Sequence, residues 1–312
     1  MRARIGWAVL GVAIAMVMPA GATTSTELPQ PRPVCLRGTV PVPAGQGARC
    51  STWRRLDSWS RVPAVYATTF RPNPASSSVV YASWLRSSAS ILALYPGYLG
   101  PGATSLSRGP EMVPASARGR LLATFNSGFY EADGAAGFYA NHTLYFPMAR
   151  GLATVVRFTN GVVNVVSWAG GPRPGTNVVM ARQNLSLLVA GGRPTALAAN
   201  NAAWGLTLHG VAAVWRTALG VDASGNLVYA AAPAQTSSSL AQVMVDLHCV
   251  RAMELDINPE WPIFVAYGRP GAVQASLMVP NPNQIPNRFL YPSTKDFFAV
   301  FQSTTPGEAQ PW

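Results

Sequence analysis

Short apolar runs, each closed off by Gly, Pro, Asn or Ser, recur along the chain, and this rhythm limits it to a β-rich architecture. The runs include residues 79–81, 91–95, 121–125, 143–146, 152–158, 162–168, 185–190 and 211–215. Asn160-Gly161 sits between two of them, and both residues tolerate the positive φ of a tight hairpin turn. Residues 219–222 and 227–231 flank Ala-Ser-Gly-Asn, which predicts a second hairpin with a longer loop. One segment has the helical period instead: Ser237, Ser238 and Ser239 can cap it, and Leu240, Val243, Met244 and Leu247 fall on one face. Residues 250–255 then return to strand character. A strand–helix–strand unit after a series of hairpins predicts an α+β fold, a single β-rich domain with a mixed sheet and few helices. Prolines at 280, 282, 286 and 292 predict a surface-wrapping segment before a last apolar strand at 297–301. No internal repeat of fixed period is present.

The N-terminus has the order of a secretory signal: Arg2 and Arg4, an apolar stretch over 5–18, then Ala20-Gly21-Ala22. The alternative is an uncleaved anchor, but spanning a bilayer takes about 20 apolar residues and this run stops at Pro19. No later segment is long enough to span. The expected organisation is a signal peptide at 1–22, an extended Pro/Gly-rich lead-in at 23–50, and one domain over 51–312, secreted or held outside the cytoplasm at the cell envelope. Cys35 and Cys50 would close a short loop, and an oxidising compartment permits that disulfide. Cys249, between helix and strand, is expected to be a buried free thiol. The net charge of +11 falls by two if Arg2 and Arg4 leave with the signal, and the only lysine is Lys295. With no Arg-rich helix or basic tail, this charge suits an anionic envelope polymer or membrane rather than nucleic acid.

Acidic residues are few, and three of the 12 fall close together: Glu254, Asp256 and Glu260. On a strand Glu254 and Asp256 would share one face. Paired carboxylates can divide acid, base or nucleophile roles when their surroundings push their pKa values apart. The structural alternative is a solvated strand end, or carboxylates satisfied by Arg216 or Arg251. A second candidate is Asn126-Ser127-Gly128, where an apolar strand enters a turn whose N–H groups and Asn amide could face a ligand; a plain turn is the competing reading. Tyr66, Trp204, Trp215 and Trp261 could stack on sugar rings or simply fill the core. The three histidines lack zinc-ligand spacing, and there is no nucleophile elbow, P-loop or dinucleotide fingerprint. No cofactor or metal is expected. Asn141 and Asn184 begin glycosylation sequons, which matter only in a eukaryotic secretory pathway.

Four landmarks, in this order, resemble the phosphodiester glycosidase family, whose members include an enzyme that removes N-acetylglucosamine from a sugar phosphodiester. They are the turn at 122–130, where the family has an Asn-Gly-Gly-Phe-Phe-like sequence; the Gln-containing strand at 180–189; Arg216-Thr217-Ala218-Leu219-Gly220, followed by an Asp-x-x-Gly hairpin; and a helix leading into Leu255-Asp256. The resemblance implies a hydrolase of phosphate-linked sugars. It makes Asp256, with Glu254 or Glu260, the catalytic carboxylates. Arg216 would hold phosphate through its planar fork, with Asn126, Gln183 and Gly128 beside the substrate. After Leu-Asp the family runs Gly-Gly-Gly-Ser, whereas this chain has Ile257-Asn258-Pro259-Glu260-Trp261-Pro262, a stiffer and bulkier wall. Such a wall points to a different substrate, or to binding without hydrolysis.

Two main readings follow. One is an exported phosphodiester glycosidase-like hydrolase acting on a phosphate-linked glycan. The other is a non-catalytic envelope protein that binds anionic glycan, with a part in exopolysaccharide production as a variant. Convergence of Glu254 and Asp256 with Asn126, Gln183 and Arg216 on one pocket would support the first; burial of the two carboxylates in separate ion pairs would count against it.

Overall fold

Strand pairing is antiparallel in all four sheets of the described residues. The computed structural model describes residues 28–35, 50–73, 77–101, 109–134, 136–205, 207, 210–305 and 311, of which 31 onward form one β-rich unit. The expected signal at 1–22 and most of the lead-in lie outside the described residues. A short ladder pairs Val34–Cys35 with Cys50–Ser51, and a disulfide joins Cys35 to Cys50.

The mixed sheet is corrected to an antiparallel one. The strand–helix–strand unit exists: Leu227–Gln235, helix Ser237–Asp246, Cys249–Glu254. Its two strands run parallel, but they do not pair, because Val214–Asp222 lies between them and is antiparallel to both. Sequence shows the crossover and not which strand fills the gap. The full eight-stranded sheet runs Arg193–Pro194, Leu187–Ala190, Cys249–Glu254, Val214–Asp222, Leu227–Gln235, Val80–Leu85, Val65–Phe70, Arg54–Arg55. One five-stranded sheet is ordered Val273–Leu277, Phe264–Arg269, Leu121–Asn126, Phe297–Gln302, Ser90–Tyr95; the other Val163–Ser167, Ala153–Phe158, Val178–Asn184, Phe138–Ala140, Thr143–Phe146.

A central core fills the space among the three large sheets, with Leu219, Tyr229 and Met253 from the first, Phe125, Phe264 and Phe298 from the second, and Phe138, Val155 and Met180 from the third. Alternate residues on the same strands serve other cores. In the last strand Phe298 and Val300 face the centre while Phe297, Ala299 and Phe301 pack outward under Val113, Ile263 and Phe289. Burial on both faces is why these strands read as continuous apolar runs rather than clean alternation.

The helix is capped by Thr236, the residue before the serines, together with Ser239: Thr236 Oγ1 accepts from Ser239 N, and Ser239 Oγ accepts from Thr236 N, a reciprocal capping box. Leu240, Val243, Met244 and Leu247 all bury against Ala218, Val228 and Ala252. Gly220 permits this approach, since a Cβ there would lie 2.8 Å from the Cys249 sulfur and the Arg251 carbonyl. Cys249 is a buried free thiol, its pKa raised by burial. Among the described residues no helix is long and apolar enough to cross a membrane. The proline-bearing segment 280–292 carries one short 3-10 turn, Arg288–Leu290, and leads to Lys295 and the last strand.

Three strands, one from each large sheet, end close together: Leu121–Asn126, Val178–Asn184 and Cys249–Glu254. That junction is where the residues singled out by the sequence gather.

Candidate functional site

Asn184, the last residue of its strand, ties the three ends together. Its side-chain carbonyl accepts from Phe129 N at 3.3 Å, and its amide donates to the carbonyls of Glu254 (2.8 Å) and Leu255 (3.3 Å). It is fully buried, so this sequon is closed off in the folded protein. Gly128 lets the two pack closely, because a Cβ there would meet the Asn184 side chain at 3.0–3.3 Å and force it to shift.

Asn126 is buried and internally engaged. Its amide donates to Ser127 O and Thr217 Oγ1, both at 3.0 Å, and its carbonyl accepts from Tyr229 Oη (2.8 Å) and Ile263 N (3.2 Å). Thr217 Oγ1 in turn donates to the Asp256 carbonyl at 2.7 Å. The Asn126 side chain is therefore a brace between sheets, although it also lines a cleft described below.

Gln183 does not join the site. Its carbonyl accepts from Ala149 N (2.7 Å), and its amide donates to Ala149 O (2.9 Å) and Thr154 Oγ1 (3.0 Å). It packs against Gly137, whose φ of 46° and lack of a side chain leave it room. The neighbouring Arg182 points the other way, as strand alternation requires. It donates to Asp296 Oδ2 at 2.8 Å and to Phe129 O at 2.5 Å.

Arg216 is sealed in the interior. Its Nη1 donates to Glu254 Oε2 (2.7 Å) and Trp204 O (3.1 Å), Nε to Gln235 O (3.0 Å), and Nη2 to Asn201 Oδ1 (3.1 Å). Arg216, expected to hold phosphate, is buried here and spends these four bonds on internal partners, a structural engagement. Glu254 is also fully buried, and its Oε1 has no hydrogen-bond partner among the described residues. Burial pushes its pKa up to about 8 against the opposing pull of Arg216, with the Asp256 charge adding a smaller upward push.

Asp256 makes a different ion pair. Its Oδ2 accepts from Lys295 Nζ, and its Oδ1 accepts from Asn258 N at 2.9 Å. Burial raises its pKa, and Lys295 is the main opposing influence. Thus Glu254 and Asp256 lie within electrostatic range of one another but bind separate cations, the outcome that counts against a paired-carboxylate hydrolase. The backbone explains it: past Glu254, Leu255 N donates to Thr217 O and Thr217 N donates to Asp256 O, so two residues oppose one and the alternation that would put Asp256 on the face of Glu254 is broken. Glu260 is exposed on the loop that follows and joins neither pair.

Beside Asp256 lies a narrow cleft with a volume of about 10 Å³, room for little more than a water molecule, lined by Asn126, Ser127, Trp261, Gln284, Arg288 and Lys295 among others. Lys295 Nζ lies 4.2 Å from the centre of the Tyr130 ring and 5.2 Å from that of Trp261. The Arg288 guanidinium lies 5.6 Å from Trp261. Burial raises the pKa of the Tyr130 hydroxyl against a hydrogen bond with Thr294, with Asp296 and Asp256 adding to the rise and Arg288 opposing it. The Asn258–Trp261 wall is held by Asn281, whose amide donates to the carbonyls of Pro259 and Pro262, each at 3.0 Å. Of the four aromatic candidates, Tyr66 and Trp204 are core, Trp215 packs against the core, and Trp261 alone reaches this cleft.

Sequence reasoning missed Arg288 and Gln284 as cleft residues, and Asn184 and Arg182 as its supports, and named Ser127 only within the 126–128 turn. Lys295 had one visible signal, being the only lysine, placed directly before the last core strand. A larger groove of about 310 Å³, bordered by Ser88, Arg157, Asn160 and Ser224, contains none of the site residues expected from sequence. Among the described residues no three His, Cys, Asp or Glu side chains are grouped as metal ligands would be.

Residues 119–256 match the family model described as phosphodiester glycosidase. The match ends at Asp256, so Trp261, Gln284, Arg288 and Lys295 lie outside it. Among solved structures, the chain is similar to the catalytic domain of zebrafish N-acetylglucosamine-1-phosphodiester alpha-N-acetylglucosaminidase, auto-inhibited by its pro-peptide. That likeness has 15% identity and a TM-score of 0.51, covering 82% of this chain and 89% of that one. A hypothetical protein from Synechocystis is 12% identical over 77% of this chain and 62% of its own, with a TM-score of 0.40. The zebrafish likeness is one of fold. Sequence comparison with curated proteins finds no match.

Proposed function

We propose that this chain, similar to the phosphodiester glycosidases over residues 119–256 and sharing their fold, is exported and binds a phosphate-linked glycan or related anionic polymer of the cell envelope. One observation carries the reading: the cleft presents Lys295 and Arg288 beside the rings of Tyr130 and Trp261, while Glu254 and Asp256 are held in separate buried ion pairs. Cations with aromatic faces suit a sugar joined to a phosphodiester, since the phosphate takes charge-assisted hydrogen bonds and a sugar ring can lie on Trp261. The Arg2/Arg4 leader pattern and the Cys35–Cys50 disulfide support the extracytoplasmic setting.

Hydrolysis is the second reading, favoured by the family match and by the place of Asp256 directly behind Lys295. In that case Asp256 alone is the working carboxylate, and ligand phosphate draws Lys295 away from it.

One experiment separates the two: release of sugar from a synthetic sugar phosphodiester and binding of the same compound, measured on wild type and Asp256→Asn. A binding protein releases nothing in either form, and its affinity holds or rises in Asp256→Asn, where Lys295 loses its neutralising partner. Release by wild type that vanishes in Asp256→Asn establishes hydrolysis instead. Absence of both binding and release removes both readings.

A further inference from the structure

The central core has two ends, and the larger groove lies at the one away from Asp256. Strand register places it there in all three large sheets. Arg157 pairs with Met180 while Ala153 pairs with Asn184, and Asp222 pairs with Cys249 while Ala218 pairs with Glu254. In the third sheet Phe301 pairs with Ile91, whereas Phe297, at the other end of the same strand, pairs with Asn126. At the far end each sheet contributes one turn: 158–163, 222–226, and the 3-10 turn Ser87–Ala89 that leads into Ser90–Tyr95. These turns border the groove of about 310 Å³, whereas the cleft beside Asp256 measures about 10 Å³. Small-molecule sites run from roughly 300 Å³ upward, so the groove suits a ligand the size of one monosaccharide.

Hydrogen bonds fix the turns in place. Ser87 N donates to Asn226 Oδ1 (3.3 Å) and Ser87 Oγ to the Gly225 carbonyl (2.8 Å), which fastens the 3-10 turn to the 222–226 turn. Asp222 Oδ1 closes that turn by accepting from Ser224 N (2.8 Å) and Asn226 N (2.9 Å). In the third turn Asn160 Oδ1 accepts from Val162 N at 3.0 Å. Other groups on the same turns are left over. The hydroxyls of Ser88 and Ser224 and the amide nitrogen of Asn160 make no hydrogen bond among the described residues, and all three side chains are exposed at the groove.

The composition of the groove narrows the ligand. Arg157, 2% exposed in its wall, is the one charged side chain among the described lining residues, and no Asp or Glu accompanies it. A cation without acidic neighbours in the lining favours an anion. One cation matches the single charge of a carboxylate better than the nearly double charge of a phosphate monoester. Serine hydroxyls donate or accept and the Asn160 amide nitrogen donates, which suits a ligand that carries hydroxyls as well. Ile91, Val162 and Val163 supply apolar surface, and no aromatic ring stands among the described lining residues, so stacking plays no part. We propose that this groove is a binding site, separate from the Asp256 cleft, for a small hydroxylated carboxylic acid of monosaccharide size. Arg157 supplies the charge, and Ser88, Ser224 and Asn160 supply the hydrogen bonds.

The test is calorimetric titration of wild type, Ser88→Trp, Arg157→Gln and Lys295→Met with four probes: glucuronate, glucose, acetate and glucose 6-phosphate. Glucuronate is expected to bind wild type best, with uncharged glucose and hydroxyl-free acetate each weaker by about tenfold or more. Ser88→Trp fills the groove from an exposed position, so it should lose glucuronate binding and keep its melting temperature. Arg157→Gln should bring glucuronate down to the level of glucose. If that buried substitution unfolds the protein, the order of ligands on wild type and the Ser88→Trp result decide. Equal affinity for glucuronate and glucose, tighter binding of glucose 6-phosphate, or glucuronate binding that survives Ser88→Trp overturns the proposal, as does no binding of glucuronate to wild type. Lys295→Met, at the other end of the core, should leave glucuronate affinity unchanged, and a loss there moves the site to the cleft and overturns the proposal too. Because sugar phosphodiester binding is read at Lys295, failure of this groove leaves the glycan-binding reading standing.

Discussion

Glu254 and Asp256 are two residues apart, are both carboxylic acids and each face one basic side chain, yet they occupy different kinds of place. Glu254 faces Arg216 where both side chains are fully buried, and that guanidinium also ties down the carbonyls of Trp204 and Gln235 and the side chain of Asn201. Asp256 faces Lys295, whose ammonium stands at the wall of an open cleft between two aromatic rings. The first pair fastens the helix start and the 196–204 segment to the sheet; the second borders a cleft and is the pair that the proposed ligand would meet. Position, sealed against the sheet or set at the wall of a cleft, separates the two pairs rather than charge or spacing.

The comparison is broken most directly at the sealed pair. Arg216→Ala leaves Glu254 buried without its cation and is expected to destabilise the fold by about 3–5 kcal/mol in chemical denaturation. An effect below about 1 kcal/mol would place that pair in contact with solvent and erase the contrast.

The pH dependence is the next largest consequence. The folded-state pKa of Glu254 is pushed from an ordinary 4.5 up to about 8, so between those values the folded protein holds a proton that the unfolded chain has released. Its stabilising contribution is full below about pH 4.5 and is lost as pH rises through about 8. The thermal midpoint should therefore fall across this window. Glu254→Gln should flatten the slope without abolishing it, since Asp256 is raised in the same direction. An unchanged slope in that variant would assign the dependence to another group.

At the open pair the effects move from stability to binding. Lys295→Met removes the cation and is expected to cost about 1.5–3 kcal/mol of affinity for a sugar phosphodiester, read by titration, with a smaller loss of stability than Arg216→Ala because Asp256 keeps its bond from Asn258 N. Trp261→Leu is the mildest change. It removes one of the two rings beside Lys295 and should weaken binding by roughly 0.5–1 kcal/mol, with the melting temperature nearly unchanged. A large stability loss there would mean that Trp261 is a core residue rather than part of the site.

Much of the fold was legible because its signals are local. The Asn160-Gly161 turn joins Ala153–Phe158 to Val163–Ser167 as an antiparallel hairpin, with Gly161 at φ 85°. The strand at residues 143–146 and the spacing of Leu240, Val243, Met244 and Leu247 depend only on neighbours in the chain. The run at 211–215 was less informative, since the strand there begins only at Val214 and extends to Asp222. The site was legible in part. Asn126, Gly128, Arg216, Glu254 and Asp256 do gather at one junction, but most of them brace it. The cleft residues Trp261, Gln284, Arg288 and Lys295 come from loops whose positions no periodicity encodes.

By itself, then, the sequence determined the β-rich composition of the domain, its one amphipathic helix and its likeness to the phosphodiester glycosidases, because turn chemistry and side-chain period act over a few residues. Tertiary structure alone decided which strand entered the gap in the crossover unit, and which carboxylate was sealed and which was left beside a cleft. Those outcomes depend on contacts between residues far apart in the chain: Thr217 with Asn126, Asn184 with Glu254, and Lys295 with Asp256. Burial turns two similar acids into different groups, and burial is a property of the assembled sheets.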